Sequence, residues 1–342
     1  MAHKSLQCTG FPARYSAVNK LTSIATNRME LALSLIALGP CHRPHQLTGA
    51  FWWSLRGVVT MFSLLDAQLK PTHGFKSQTA SNQKADAFKL AEALTRWFAQ
   101  RHLGAAVVVP VEQHAGTFTR MSSSAPYPKS MPKYFRHSTK PAAKTEPDFF
   151  AFRGPDDIHV LESKGRAGFA MYGVPQSVIN AARNKALRQV CAIQTLNGIA
   201  PKTRSACVFA FDQAGLQGQV TDPPSTVQFN YEVAWPRLIT RAYATVLDPL
   251  FEANRVDIDR DYVGVEFMPG WKFGIHKAVI KQLRDVDDEE SFKRFLGLLS
   301  NLPASDGVTA SKIEDRSYSP DGFVLIGTPD TFETPLRDII CM

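Results

Sequence analysis

Residues 146–165 read Glu-Pro-Asp-Phe-Phe-Ala-Phe-Arg-Gly-Pro-Asp-Asp-Ile-His-Val-Leu-Glu-Ser-Lys-Gly. Asp148 opens an apolar run, Phe149 to Phe152. Gly154-Pro155-Asp156-Asp157 carries turn residues. A second apolar run, Ile158 to Leu161, ends in Glu162-Ser163-Lys164. The spacing from Asp148 to Glu162 fits two strands of about five residues joined by a turn. Side chains alternate across a strand, so Glu162 and Lys164 share a face and the Ser163 carbonyl lies between them. Pairing the two runs as a hairpin brings Asp148 to Glu162 and gathers three charged groups. Metal-assisted hydrolysis of a phosphodiester needs such a cluster: hard oxygen ligands for a magnesium ion, and a group that orients water and balances phosphate charge.

The elements around the hairpin set its context. Ser81 or Asn82 is a capping candidate for a helix running to about Leu103, with Phe88, Ala91, Leu94 and Phe98 on its inner face and Gly104 as its stop. Residues 105–111 are short and β-branched and read as a buried strand, with Pro110 marking an edge or bulge. Pro175 suits the first turn of a helix reaching about Leu196 before Asn197-Gly198. Ser205 to Phe211 reads as another buried strand. The succession helix, strand, strand, strand, helix, strand predicts an α/β fold with a mixed central sheet flanked by helices.

This arrangement resembles the PD-(D/E)xK, or restriction-endonuclease-like, nuclease superfamily. Pro147-Asp148 stands where that family has its PD pair, Glu162-Ser163-Lys164 where it has (D/E)xK, and the element order over roughly 82–212 agrees. The resemblance implies that Asp148 and Glu162 hold one or two divalent ions, Mg2+ or Mn2+, and that Lys164 positions the attacking water. It also implies a further acid from the preceding helix, for which Glu92 is the candidate; as a residue alone, Glu92 reads as a solvated helix acid. In that family the helix after the motif often lends a polar residue to the phosphate. Lys185, Arg188 and Gln189 are three and four apart there. With Arg166 they form a candidate nucleic-acid contact, or else a solvated basic face.

The whole chain is consistent with this expectation. It has 342 residues, 44% hydrophobic and 20% charged, as ordinary globular proteins do. Its formal net charge is +8, and a basic balance favours an acidic partner, nucleic acid first. Five cysteines without a CxxC pair argue against a disulfide framework or structural zinc. Cys41-His42-Arg43-Pro44-His45 lacks a fourth ligand at usable spacing. The N-terminus is not followed by a secretory apolar region, and the apolar runs fall short of the about 20 residues a spanning helix needs. These readings predict a cytoplasmic protein without a membrane partner. Walker, GxGxxG and GxSxG motifs are missing. His114, His137, His159 and His276 are scattered, and His159 reads as a packed side chain.

Three regions are expected. Residues 1–75 form an N-terminal helical region, with apolar helices over 15–38 and 48–69; Leu31, Leu35 and Leu38 mark the first, and Trp52, Leu55, Val59 and Phe62 the second. Residues 76–220 form the nuclease core. It includes a basic loop, 115–145, in which Arg120, Lys129, Lys133, Arg136, Lys140 and Lys144 are interleaved with Phe118, Tyr127, Tyr134 and Phe135, a mixture suited to single-strand stacking or backbone contact, or else a disordered linker. Residues 221–342 form an α+β region with a helix over 235–253, a strand at 262–267, a helix over 289–300 and a strand at 323–326. The expected activity is metal-dependent cleavage of DNA, with a role in bacterial restriction or phage defence as an extension of the resemblance. The alternatives are a non-catalytic nucleic-acid-binding or scaffold subunit working with a partner or as a homo-oligomer, and cleavage of RNA.

Overall fold

The structure, a computed structural model, describes residues 4–39, 49–111, 117–121, 146–223, 229–252, 255–302 and 315–328. The Cys41–His45 cluster, His114, His137 and most of the basic segment lie outside these residues. The strands are β1 Lys4–Thr9, β2 Val107–Pro110, β3 Phe118–Met121, β4 Phe149–Gly154, β5 Asp157–Gly168, β6 Ile193–Leu196, β7 Thr203–Asp212, β8 Gly215–Thr221, β9 Phe229–Val233, β10 Val256–Asp257, β11 Tyr262–Met268, β12 Trp271–His276, β13 Arg316–Tyr318 and β14 Phe323–Ile326. The helices are α1 Arg28–Ile36, α2 Gly49–Leu64, α3 His73–Lys76, α4 Ala80–His102, α5 Gln176–Cys191, α6 Trp235–Glu252, α7 Lys277–Leu283 and α8 Glu289–Asn301, with a 3-10 helix over Ala13–Lys20.

The molecule is mixed α/β around a mixed central sheet in the order β1-β8-β7-β5-β4-β2. The β2–β4, β4–β5 and β7–β8 pairs are antiparallel, whereas β5–β7 and β1–β8 are parallel. Strands β4 and β7 are buried over most of their length, as expected for runs without polar alternation. Pro110 ends β2 at the sheet edge, where its missing N–H breaks no ladder bond.

Helix α4 starts at Ala80, capped by the Thr79 side chain rather than by Ser81 or Asn82. It ends at the expected place, with Gly104 at φ +71° supplying the left-handed stop. Its buried face is Ala87, Leu90, Ala91, Leu94, Trp97 and Phe98, and Phe88 is 40% exposed. The sheet contact sets this rotation. The α4 backbone approaches β5 so closely that a Cβ on Gly165 would overlap the Ala87 carbonyl. That approach needs glycine on the strand and small residues on the helix.

The N-terminal stretch is not helical throughout. Lys4–Thr9 forms a strand that pairs parallel with β8 in the central sheet. Residues 21–24 are held extended beside it by Leu6 N–H to the Thr22 carbonyl and Ile24 N–H to the Lys4 carbonyl. The expected 15–38 helix is therefore a 3-10 turn, an extended link and α1, capped by Asn27. Helix α2 turns Val58, Met61, Phe62 and Leu64 inward, while Val59 is 40% exposed. Helix α5 stops at Cys191 instead of about Leu196, because Ile193–Leu196 is drawn into a small sheet, β3-β9-β6. Asn197 then bridges the link to β9, donating to the Val233 carbonyl at 2.8 Å and accepting from the Val233 N–H at 2.6 Å.

The C-terminal part holds a five-stranded sheet, β10-β11-β12-β14-β13, with α6, α7 and α8. It packs on the rest through aromatic contacts. Phe152 of β4 meets Trp235 of α6 edge-on at 4.9 Å and Phe292 of α8 at 5.7 Å, and Phe62 of α2 meets Trp271 of β12 at 5.6 Å. Among the described residues no helix is long and apolar enough to cross a membrane.

A buried ion pair ties these parts together. Arg96 of α4 pairs with Asp321 in the β13–β14 turn, both essentially without solvent contact. Tyr243 of α6 donates to the Asp321 carbonyl at 2.9 Å, and Ser319 Oγ donates to its carboxylate at 2.5 Å. Removing one partner strands the other charge. Arg96→Met is therefore expected to lower stability by about 3–5 kcal/mol, and the double change Arg96→Met with Asp321→Leu to regain most of that loss. Urea denaturation checks both, and additive losses would show that the pair is not coupled.

Candidate active site

The site forms where β4 and β5 part. Their ladder runs from Gly154–Asp157 up to Phe149–Leu161, and Asp148 lies just before β4 begins. Strand β5 continues to Gly168 against β7 alone. On the side that β4 has left, the Ser163 N–H needs an acceptor, and the Asp148 carboxylate takes that place at 2.8 Å. In return the Asp148 N–H donates to Glu162 Oε2 at 3.0 Å. Two carboxylates are thus fixed by backbone donors at the end of a hairpin. The pairing is the one the sequence predicts.

Lys164 closes the cluster. Its ammonium donates to Glu162 Oε1 and to the Ser163 carbonyl at 3.0 Å, and it lies 3.6 Å from Asp148 Oδ2. Three oxygen atoms of three residues converge on one positive charge. Alternation sends Ser163 and Gly165 toward α4, and Glu162 and Lys164 toward the face where α5 packs through Ile179 and Ala182 on Val208 and Ala210.

Electrostatics at Glu162 is strained. The residue is fully buried, and burial, followed by the neighbouring Asp148, pushes its carboxyl up to about 8. Lys164 acts in the opposite direction and offsets only part of this. The close Lys164 contact taken alone reads as an ion pair, yet desolvation is the larger effect, so the metal-free site favours a proton on Glu162 at neutral pH. A small cation among these oxygen atoms would offset both the desolvation and the Asp148 repulsion. The donor set of Asp148, Glu162 and the Ser163 carbonyl fits Mg2+ or Mn2+.

The other candidates fall in different places. Glu92 is half-buried on α4. Among the described residues no group of three or more His, Cys, Asp or Glu side chains that could hold a metal ion forms. Arg166 is half-buried and donates to the Gly165 carbonyl at 2.6 Å, and burial pulls its guanidinium below the ordinary value. Lys185 is exposed, whereas Arg188 is half-buried with Nε on the Asn184 carbonyl at 3.3 Å. Gln189 is buried on the inner side of α5, beside Ala186 and Val190. Its amide donates to the Glu146 carbonyl at 3.2 Å and so fastens the segment that leads into Asp148. The expected common face of Lys185, Arg188 and Gln189 therefore divides into two outward cations and one inward amide that positions backbone. The helical spacing of the apolar residues Ile179, Ala182, Ala186 and Val190, three and four apart, is the signal that places Gln189 inside.

His159 is a packed histidine, as read from the sequence. It is fully buried, its Nδ1 lies 3.0 Å from Thr203 Oγ1, and burial lowers its imidazole to about 4. Comparison of the chain with protein-family models, curated proteins and solved structures returns no significant match.

The raised Glu162 carboxyl gives a pH signature. The unfolded chain loses this proton near the ordinary glutamate value, and the metal-free fold keeps it to about 8. Stability from this group is full below the ordinary value and is lost as pH rises through about 8. Glu162→Gln removes the titration, so the variant gains stability over the parent protein between pH 6 and pH 9, by about 1 kcal/mol or more. Denaturant midpoints in EDTA across that range check this, and parallel pH profiles for the two proteins would contradict it.

Proposed function

We propose that the chain is a divalent-metal-dependent nuclease that hydrolyses DNA phosphodiester bonds. The observation that carries the reading is the convergence of the Asp148 carboxylate, the Glu162 carboxylate and the Ser163 carbonyl on a single cation, the Lys164 ammonium. The succession α4, β2, β4, β5, α5, β7, with the first three strands antiparallel and the fourth parallel to the third, supports the resemblance to the PD-(D/E)xK superfamily.

Asp148 and Glu162, with the Ser163 carbonyl, would hold Mg2+ or Mn2+. A bound ion would supply Lewis-acid charge at the scissile phosphate and a more acidic water. Lys164, released from Glu162, orients the attacking water by donating to it and offsets charge that builds on the phosphate. The backbone N–H groups of Asp148 and Ser163 hold both side chains in place before substrate arrives. The net charge of +8 and the outward Lys185 and Arg188 favour a polyanion. Restriction or phage defence is the biological setting that the superfamily resemblance suggests.

Plasmid and linear DNA incubated with Mg2+ or Mn2+ test the reading, with a structured RNA in parallel. The parent protein is expected to cut DNA, EDTA to stop it, and Asp148→Ala, Glu162→Gln and Lys164→Ala each to lower the rate about a hundredfold or more. Equal turnover in the parent and all three variants, or metal-insensitive binding without cleavage, would overturn it. The second outcome points to a non-catalytic binding subunit.

A further inference from the structure

A cavity of about 470 Å3 lies away from the carboxylate cluster. It opens where the C-terminal turns of α4 and α8 meet α1 and β13, roughly 20 Å along α4 from the turn that packs on Gly165. Its size falls within the ~300–1,000 Å3 of small-molecule sites. The nuclease reading makes no use of it.

The lining combines three chemistries. Trp97, Tyr262 and Tyr318 give it aromatic surface, and the two tyrosine rings are 5.5 Å apart. Two cationic residues, Arg101 and Arg153, and one carboxylate, Glu30, also line it, and Glu30 already accepts from Thr26 Oγ1 at 2.5 Å. Trp97 and Gln100 follow each other at i, i+3 on the same face of α4. Trp97 is only 4% exposed, and neither its indole N–H nor the Gln100 side-chain NH2 has a partner among the described residues. Buried indole N–H groups ordinarily find an acceptor. Two donors left over on one wall, beside aromatic rings and a net positive charge, describe a binding surface better than a packing fault.

We propose that this cavity binds a small planar organic anion, of the size and charge of a nucleoside monophosphate. The rings of Trp97, Tyr262 and Tyr318 cover its flat body, and Arg101 and Arg153 take the anionic group in charge-assisted hydrogen bonds. Trp97 and Gln100 donate to its acceptor atoms. Helices α4 and α8 both end at the cavity, where the Leu103 and Ala105 N–H groups donate to the Ala99 carbonyl and the Leu302 N–H to those of Leu298 and Leu299.

Adenosine monophosphate is the probe, titrated calorimetrically into the full chain in EDTA. One site per chain is expected, with adenosine and inorganic phosphate each binding at least about tenfold more weakly. Arg101→Gln, an exposed side chain, and Ser300→Trp, which fills the mouth from α8, are each expected to weaken binding at least about tenfold with an unchanged melting midpoint. Asp148→Ala is expected to bind like the parent protein, which separates this site from the nuclease cluster. Unsaturable binding, equal affinity for adenosine, indifference to both cavity variants, or loss of binding in Asp148→Ala would each overturn the proposal.

Discussion

Strand β5 outlasts its antiparallel neighbour. It runs on to Gly168 after β4 has ended at Phe149, and the backbone donors exposed by that departure must be satisfied. Asp148 satisfies one of them, at Ser163, and its own N–H in turn satisfies Glu162. From this one constraint the rest of the site follows. The carboxylates face each other because the strands diverge between them, and Lys164 reaches both because it sits two residues further along the same face of β5. The cluster is therefore a property of where a ladder stops, not of three isolated side chains.

The elements around the hairpin keep that geometry rigid. Gly165 lets α4 lie directly against β5, α5 covers the opposite face through Ile179 and Ala182, and Gln189 ties the approach to Asp148. Aromatic contacts from Trp235 and Phe292 press on β4 from the C-terminal part. Packing of this kind limits how far the two carboxylates can separate when their protonation changes. It also explains why Glu162 is held in a desolvated place that no exposed glutamate would tolerate.

Local patterns carried much of this into the sequence. The apolar frames on either side of Gly154-Pro155 define the hairpin, Gly104 marks the end of α4, and the β-branched and aromatic run at Phe323–Ile326 is a strand as read. What escaped notice depends on distant partners. Lys4–Thr9 has a weak strand signal and is fixed by β8 across the length of the core, while β8 is itself held by its hairpin with β7. Ile193–Leu196 continues a helical pattern until β9 captures it. Phe88 and Val59 keep helical spacing with their neighbours, yet both point outward, because a close backbone contact or a neighbouring helix, and not hydrophobicity alone, sets the rotation. The Arg96–Asp321 pair joins residues far apart in the chain, and neither residue announces its burial. In the site, the pairing of Asp148 with Glu162 was legible, whereas the inward turn of Gln189 required the packed face of α5.

The central claim is that Asp148, Glu162 and the Ser163 carbonyl hold a divalent cation in the place now taken by the Lys164 ammonium. A crystal structure of the protein soaked in Mn2+, with anomalous scattering to locate the metal, tests it most directly. The account predicts one anomalous peak bridging Asp148 and Glu162, with Lys164 withdrawn from Glu162 and turned toward the open side of the site. An empty site at saturating Mn2+, with Lys164 still seated on Glu162, would contradict it.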